Sequence, residues 1–290
     1  MADIAFHHPA TVDEAVSILA AAENGRFLAG GQTLVAMMNA GLLDVSTLVV
    51  VSGIDELGRI GRIPDGRIRI GAGVCHRAVA HAEDLSGANS VVRQAASVIA
   101  HPAIRNFGTI GGSLAHADPA ADYPAAVMAA AAVVEVAGAG GRREIPIEKF
   151  FLDYLTTTLE PGELVTAVIL PEAATTTSGC FLKFSRVDGD YAIASVAVTI
   201  DMDGGKCRGT RIALGGCGPT PVFSSAANEA LLGTSCDADA VELAASRLVE
   251  VMDPVDDVRA SEAYRRRIVP KLVQRAMKEA LKGISKGAGS

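Results

Sequence analysis

Apolar and polar positions follow two periods along the chain, and each switch between them marks an element. Residues 12–25, "VDEAVSILAAAENG", carry apolar side chains at helical spacing behind a capping box of Thr11 and Glu14, and stop at Asn24-Gly25. "RFLA" then predicts a short buried strand, "GGQT" a turn, "LVAMMNAG" a second helix ending at Gly41, and "STLVVV" a second strand. Together these make a βαβ unit with a glycine pair at its strand-to-helix junction. "RIGRIPDGRIRIGAG" alternates around Pro64-Asp65-Gly66 as an antiparallel hairpin does, and "SVVRQAASVIA" is helical.

The stretch "RNFGTIGGSLAHADPAADYPAA", residues 105–126, fits neither period and predicts a loop. Beyond it "VVEVAG", "RREIPI" and "ELVTAVILP" supply strands, so the first unit mixes α and β with much of its sheet antiparallel. The composition turns polar at "PEAATTTSG", a linker, after which come strands "CFLKFSR", "AIASVAVTID" and "CRGTRIALGG", with a turn at Asp203-Gly204-Gly205. Helices follow from about Ser224. Pro270 is expected to kink or split the last one, and "GISKGAGS" to fray. The expected fold class is α+β, with an N-terminal domain over residues 1–174, a C-terminal α+β domain of a small antiparallel sheet with helices over 178–284, and a disordered tail at 285–290.

At 290 residues and 49% hydrophobic, the chain can build roughly two cores. A formal charge of -7 with both signs dispersed gives no basic stripe, which argues against nucleic acid as a partner. No signal peptide and no apolar run of membrane length is read, so the expected location is cytoplasmic. Five cysteines stand singly, without C-x-x-C, which predicts reduced structural thiols and no metal or iron–sulfur site on this chain.

Two glycine segments carry the candidate chemistry. In "AGGQT", Ala29 to Thr33, amides at a helix start can meet a phosphate and the glycines let it approach; read only structurally, the pair is a tight turn. In the second segment Thr109 and Ser113 offer hydroxyls, Gly111 and Gly112 unobstructed amides, and Asp122 an acceptor for sugar or ribityl hydroxyls. Two such segments suit a long dinucleotide. The usual fingerprints are missing: Gly71 and Gly73 begin a G-x-G, but His76 stands where the third glycine belongs, and there is no P-loop.

"FLAGGQTLVAMM" together with "IRNFGTIGGSLAHADPAADYPA" resembles the paired FAD motifs of the medium, flavin-carrying subunit of molybdenum hydroxylases, the group of xanthine dehydrogenase and aerobic carbon monoxide dehydrogenase. The resemblance continues through "PGELVTAVILP", "FLKFSRVDGDYAIASVAV", "IALGGCGPTP" and "AYRRRIVPKLVQRA". It implies a two-lobed N-terminal FAD domain of the vanillyl-alcohol-oxidase (PCMH) type and the C-terminal domain of such flavoproteins. It also implies that Ala29, Gly30, Gly31, Gln32, Thr33 and Leu34 hold the FAD pyrophosphate. Thr109, Gly111, Gly112 and Ser113 reach the rest of the cofactor, and Asp122 its hydroxyls. His116 lies within reach of the same ligand.

Lys183 matches a family lysine near the flavin, where a cation stabilises charge on the reduced ring; as a plain strand lysine it would hold its head in solvent. Tyr191 lies in a loop that can cover the ring, or packs on its sheet. His7, His8, His76, His81 and His101 read as surface or capping residues, His101-Pro102 and Arg105-Asn106 as shaping the approach to the second loop, and "YRRR", residues 264–267, as a solvated or subunit-facing surface. The resemblance implies an electron-transfer subunit that takes electrons from 2Fe–2S centres of a small partner and passes them to an external acceptor. Molybdopterin would sit on a large partner, in a dimer of heterotrimers. No catalytic acid, base or nucleophile is expected here. A self-sufficient FAD-dependent oxidase and a non-catalytic flavin-nucleotide-binding module are the alternatives.

Overall fold

A computed structural model describes residues 4–287, with side chains to residue 284. The helix Val12–Ala20 opens with half of its capping box in place: Thr11 Oγ1 accepts from Glu14 N at 3.2 Å, while the Glu14 carboxylate accepts from Ala10 N at 2.8 Å, one residue before the N-cap amide. Strands Ala5–His7, Thr47–Val50 and Gly25–Leu28 form a parallel sheet with Thr47–Val50 in the centre. Gly25–Leu28, the helix Leu34–Asn39 and Thr47–Val50 make the expected βαβ unit. Gly25–Leu28 is only half-buried, because it is an edge strand beside a cavity rather than a core strand.

A five-stranded antiparallel sheet follows, in the order Ile60–Arg62, Ile68–Gly71, Leu164–Leu170, Val133–Gly138, Gly141–Pro146. Leu164–Leu170 is buried at every position, as a central strand covered on both faces must be. Residues 105–126 are not a continuous loop. They hold the helix Ile110–His116, closed by Ala117 in the left-handed region, and the start of Asp122–Ala129, all eight of whose residues are buried. Glycine is chosen at 111 for contact: a Cβ there would lie 2.4 Å from the Ala72 Cβ, and this packing outweighs the helix cost of glycine, about 1 kcal/mol.

The third sheet runs Thr177–Phe184, Ala194–Asp203, Lys206–Gly215, Val222–Phe223, all antiparallel. Alternation along Ala194–Asp203 gives it one apolar face and one of small and polar residues, both buried through Ile200. Val196, Val198 and Ile200 pack with Leu248, Val273 and Met277 of the helices Ala238–Glu250 and Glu262–Gly287. Ala197 joins the first core, and Thr199 donates from Oγ1 to the Ala129 carbonyl at 2.8 Å. Helix Asp122–Ala129 therefore lies between the two halves.

Helix Glu262–Gly287 is not split at Pro270. The proline forfeits one amide bond, but Val269, Leu272, Val273, Ala276, Met277 and Ala280 hold the same face in the core. Its backbone runs through Gly287, past the expected start of the tail; residues 288–290 of that tail lie outside the described residues. Of "YRRR", expected as a solvated or subunit-facing surface, Arg267 is exposed but Arg265 is not. Arg265 is 3% exposed and donates to the carbonyls of Ile193, Val255 and Ala260 and to Asp257. No helix among the described residues is long and apolar enough to cross a membrane.

Candidate functional site

The turn after Gly25–Leu28 is shaped by Gly31, at φ +70°, a conformation open to glycine at little cost. Gln32 Nε2 donates to the Gly30 carbonyl at 3.1 Å. The first amide drawn into the following helix is that of Val35, which donates to the Gly31 carbonyl at 3.0 Å. The amides of Gln32, Thr33 and Leu34 have no partner among the described residues and stand at the positive end of a helix.

A Cβ on Gly30 would sit 1.9 Å from the Phe107 carbonyl oxygen and 2.9 Å from the Gly108 Cα. The two glycine segments accordingly touch backbone to backbone. The second one is anchored by pairing with Ala72–His76: His76 N donates to Gly108 O at 2.9 Å, Ile110 N to Val74 O at 3.1 Å, and Gly111 N to Ala72 O at 2.9 Å. Thr109 Oγ1 caps Gly112 N at 3.2 Å. This corrects the expectation that Gly111 and Gly112 present free amides, because both are spent inside the protein. What the segment turns outward is bare glycine backbone at Gly112 and the Ser113 hydroxyl, which has no partner among the described residues.

A cavity of ≈ 660 Å³ opens between these segments and the C-terminal half. Ala29, Gly30, Gly31, Gln32, Thr33, Leu34, Thr109, Gly111, Gly112, Ser113, His116, Asp122, Lys183 and Tyr191 all line it. Lys183 does not extend into solvent. Its Nζ donates to Asp122 Oδ2 at 2.8 Å and to the Val98 carbonyl at 2.9 Å. Burial pushes the Asp122 carboxyl up to about 6, with the Lys183 charge and hydrogen bond pulling the other way. Tyr191 stays half-exposed at the mouth, with the Arg259 guanidinium 4.9 Å from its ring centre. Gly189, at φ +82°, lays this C-terminal loop against His101 and Ala100, while Arg105 holds the carbonyls of Ile99 and Ala100 at 2.8 Å each.

Other lining residues were not anticipated as such. His76, expected at the surface, is 5% exposed and stacks obliquely on Tyr123 with ring centres 5.3 Å apart. Burial, and then the Arg105 charge, push its imidazole down to about 4. Its one sequence signal is its place at the end of the glycine-rich run after the hairpin. Asp118 and Asp190 also line the cavity, each occupied in its own turn by the amides of Ala120 and Tyr191 at 2.8 Å.

The cavity's donors and shape suit FAD: amides beside glycines for a pyrophosphate, a hydroxyl-bearing second wall, and a buried cation in the lining. Residues 2–173 match the family model "FAD binding domain in molybdopterin dehydrogenase", and residues 179–280 match "CO dehydrogenase flavoprotein C-terminal domain". The chain belongs to this family of FAD-binding subunits. It is 35% identical over 273 residues to the 6-hydroxypseudooxynicotine dehydrogenase complex subunit alpha of Paenarthrobacter nicotinovorans, covering 93% of this chain and 92% of that one. Identity to the carbon monoxide dehydrogenase medium chain of Afipia carboxidovorans is 32% over 277 residues, covering 95% and 96%.

Among solved structures, a crystal structure of the Cu,Mo-CO dehydrogenase contains a chain that superimposes with a TM-score of 0.93 at 32% identity, covering 97% of this chain and 98% of that one. The fold is therefore the PCMH-type FAD domain joined to the C-terminal domain of molybdenum hydroxylase flavoproteins. This medium subunit is an oxidoreductase component whose cofactor is FAD, with molybdopterin and iron–sulfur clusters residing on other subunits.

Proposed function

We propose that this subunit holds FAD across the two glycine segments and acts as the electron exit of its complex, between the 2Fe–2S centres of a small partner and an external acceptor. The amides of Gln32, Thr33 and Leu34 would meet the pyrophosphate, and the Ser113 hydroxyl and Gly112 backbone would line the path of the remaining chain. Lys183 would direct its remaining N–H to the ring, and Tyr191 would cover a ring face. Bound FAD supplies a ring able to take up one or two electrons. The protein's part is to orient that ring, exclude water from it and set its electrostatics. No side chain here is given the role of substrate acid, base or nucleophile, so hydroxylation is left to a large molybdopterin subunit, which also fixes the substrate.

A dimer of heterotrimers, a cytoplasmic location and a domain division between residues 174 and 178 complete the reading. The observation that carries it is the convergence of the free turn amides and the Lys183 ammonium on one cavity. The test is the visible spectrum of the purified chain after incubation with FAD and gel filtration. A flavin spectrum at about one FAD per chain, without iron–sulfur absorption, is the expected result. Emergence of the chain free of flavin would sink the reading.

A further inference from the structure

Lys183 leaves the strand Thr177–Phe184 and ends inside the N-terminal half, against the first residue of helix Asp122–Ala129 and the last residue of helix Ser90–Val98. Its side chain is 6% exposed and that of Asp122 5%. An ammonium has three N–H groups; two are engaged, and the third has no partner among the described residues on a side chain that lines the cavity. The Asp122 oxygens are placed otherwise. Oδ2 receives Lys183, while Oδ1 is buried and has no partner among the described residues.

We propose that Asp122 is the counter-ion that positions Lys183 and limits its field on the cofactor ring. This rests on the cavity being the FAD site. In a water-poor wall, an uncompensated ammonium attracts the charge that reduction places on the ring far more strongly than a paired one does. The carboxylate thereby holds down the potential at which the cofactor accepts electrons. The other three carboxylates of the cavity form no ion pair with Lys183: Asp118 and Asp190 bond their own turns, and Glu163 pairs with Arg143 at 2.7 Å.

The test is a dye-linked redox titration of the full chain loaded with FAD. In Asp122→Asn, FAD stays near one per chain, and at a fixed solution potential the ratio of reduced to oxidised FAD rises at least tenfold. Asp122→Glu, which keeps the counter-ion, brings the ratio back towards that of the unmodified chain. In a Lys183→Met background the Asn substitution changes the ratio less than twofold, because a buried carboxyl without its cation is held neutral. If Asn does not yield folded protein, Asp122→Ser carries the same comparison. An Asn variant that loses FAD while the bound fraction titrates as before, or an equal shift in both backgrounds, overturns the proposal. An unmodified chain that retains no FAD is a separate failure, which removes the cofactor reading and this inference with it.

Discussion

Two titratable side chains in the wall of the cavity pull stability in opposite directions as pH changes. His76, at about 4, binds a proton more weakly than it would in the unfolded chain. Its contribution is present at neutral pH and is lost as pH falls through 6.5 towards 4, a loss of roughly 3 kcal/mol when complete. Asp122, at about 6, is penalised in its charged form, and that penalty is relieved as pH falls from about 6 towards 3.8. Between pH 7 and 5 the two largely cancel. Urea unfolding of the unmodified chain should change little over this range, whereas His76→Gln should gain about 1 kcal/mol on going from pH 7 to 5; a flat profile for the variant would contradict the assignment. At Gly30, alanine would drive a methyl into the Phe107 carbonyl. It should cost about 1–3 kcal/mol in urea unfolding and abolish FAD retention on gel filtration. The glycine pairs were visible in the sequence because so few residues allow a close backbone approach. The burial of His76 was not, since Tyr123 and Gly108, which cover it, come from distant positions and leave no periodic mark beside it.

At the scale of elements, hydrophobic period located most helices and strands but failed where contact overrides propensity. The helix Ile110–His116 carries two glycines in its first turn, a pattern that predicts a loop; Thr109 starts it with a side-chain cap, and Ala72 rewards the absence of a Cβ at 111. Thr109→Val should therefore lower stability by about 1 kcal/mol in urea unfolding. Pro270 misled in the opposite sense, because a helix pinned along one apolar face survives the loss of one amide bond. The arginine run predicts a solvated or subunit-facing surface, and Arg267 is exposed while Arg265 departs from it. Arg265 instead closes the start of its helix onto a loop, and although burial opposes it, hydrogen bonds from Arg265 and from the amides of Ala260 and Arg259 hold the Asp257 carboxyl at about 2. Arg265→Met should cost about 3 kcal/mol, measured by thermal or urea unfolding, because three carbonyls and a carboxylate lose their donor.

At the scale of the molecule, the C-terminal sheet is wedged between two cores, with Thr199 and Arg211 bonding the end of helix Asp122–Ala129 on one side and the long helices covering the other. A ligand in the cavity touches both halves. FAD at a hundredfold excess over its dissociation constant should add about 2.7 kcal/mol and shift one cooperative melting transition rather than one of two. A melt that splits into a shifted and an unshifted step would show the halves to be uncoupled. The two-part layout was legible from composition and strand order; that one sheet serves both cores was not, since alternation marks which positions are buried and not what buries them. Lys183 and Tyr191 enter the cavity from beyond the first family match, while the glycine turns lie far earlier in the chain. During synthesis both turns leave the ribosome well before the cation that completes their pocket. On the proposed FAD site, cofactor loading is expected to be a late event, completed once the second half has folded against the first.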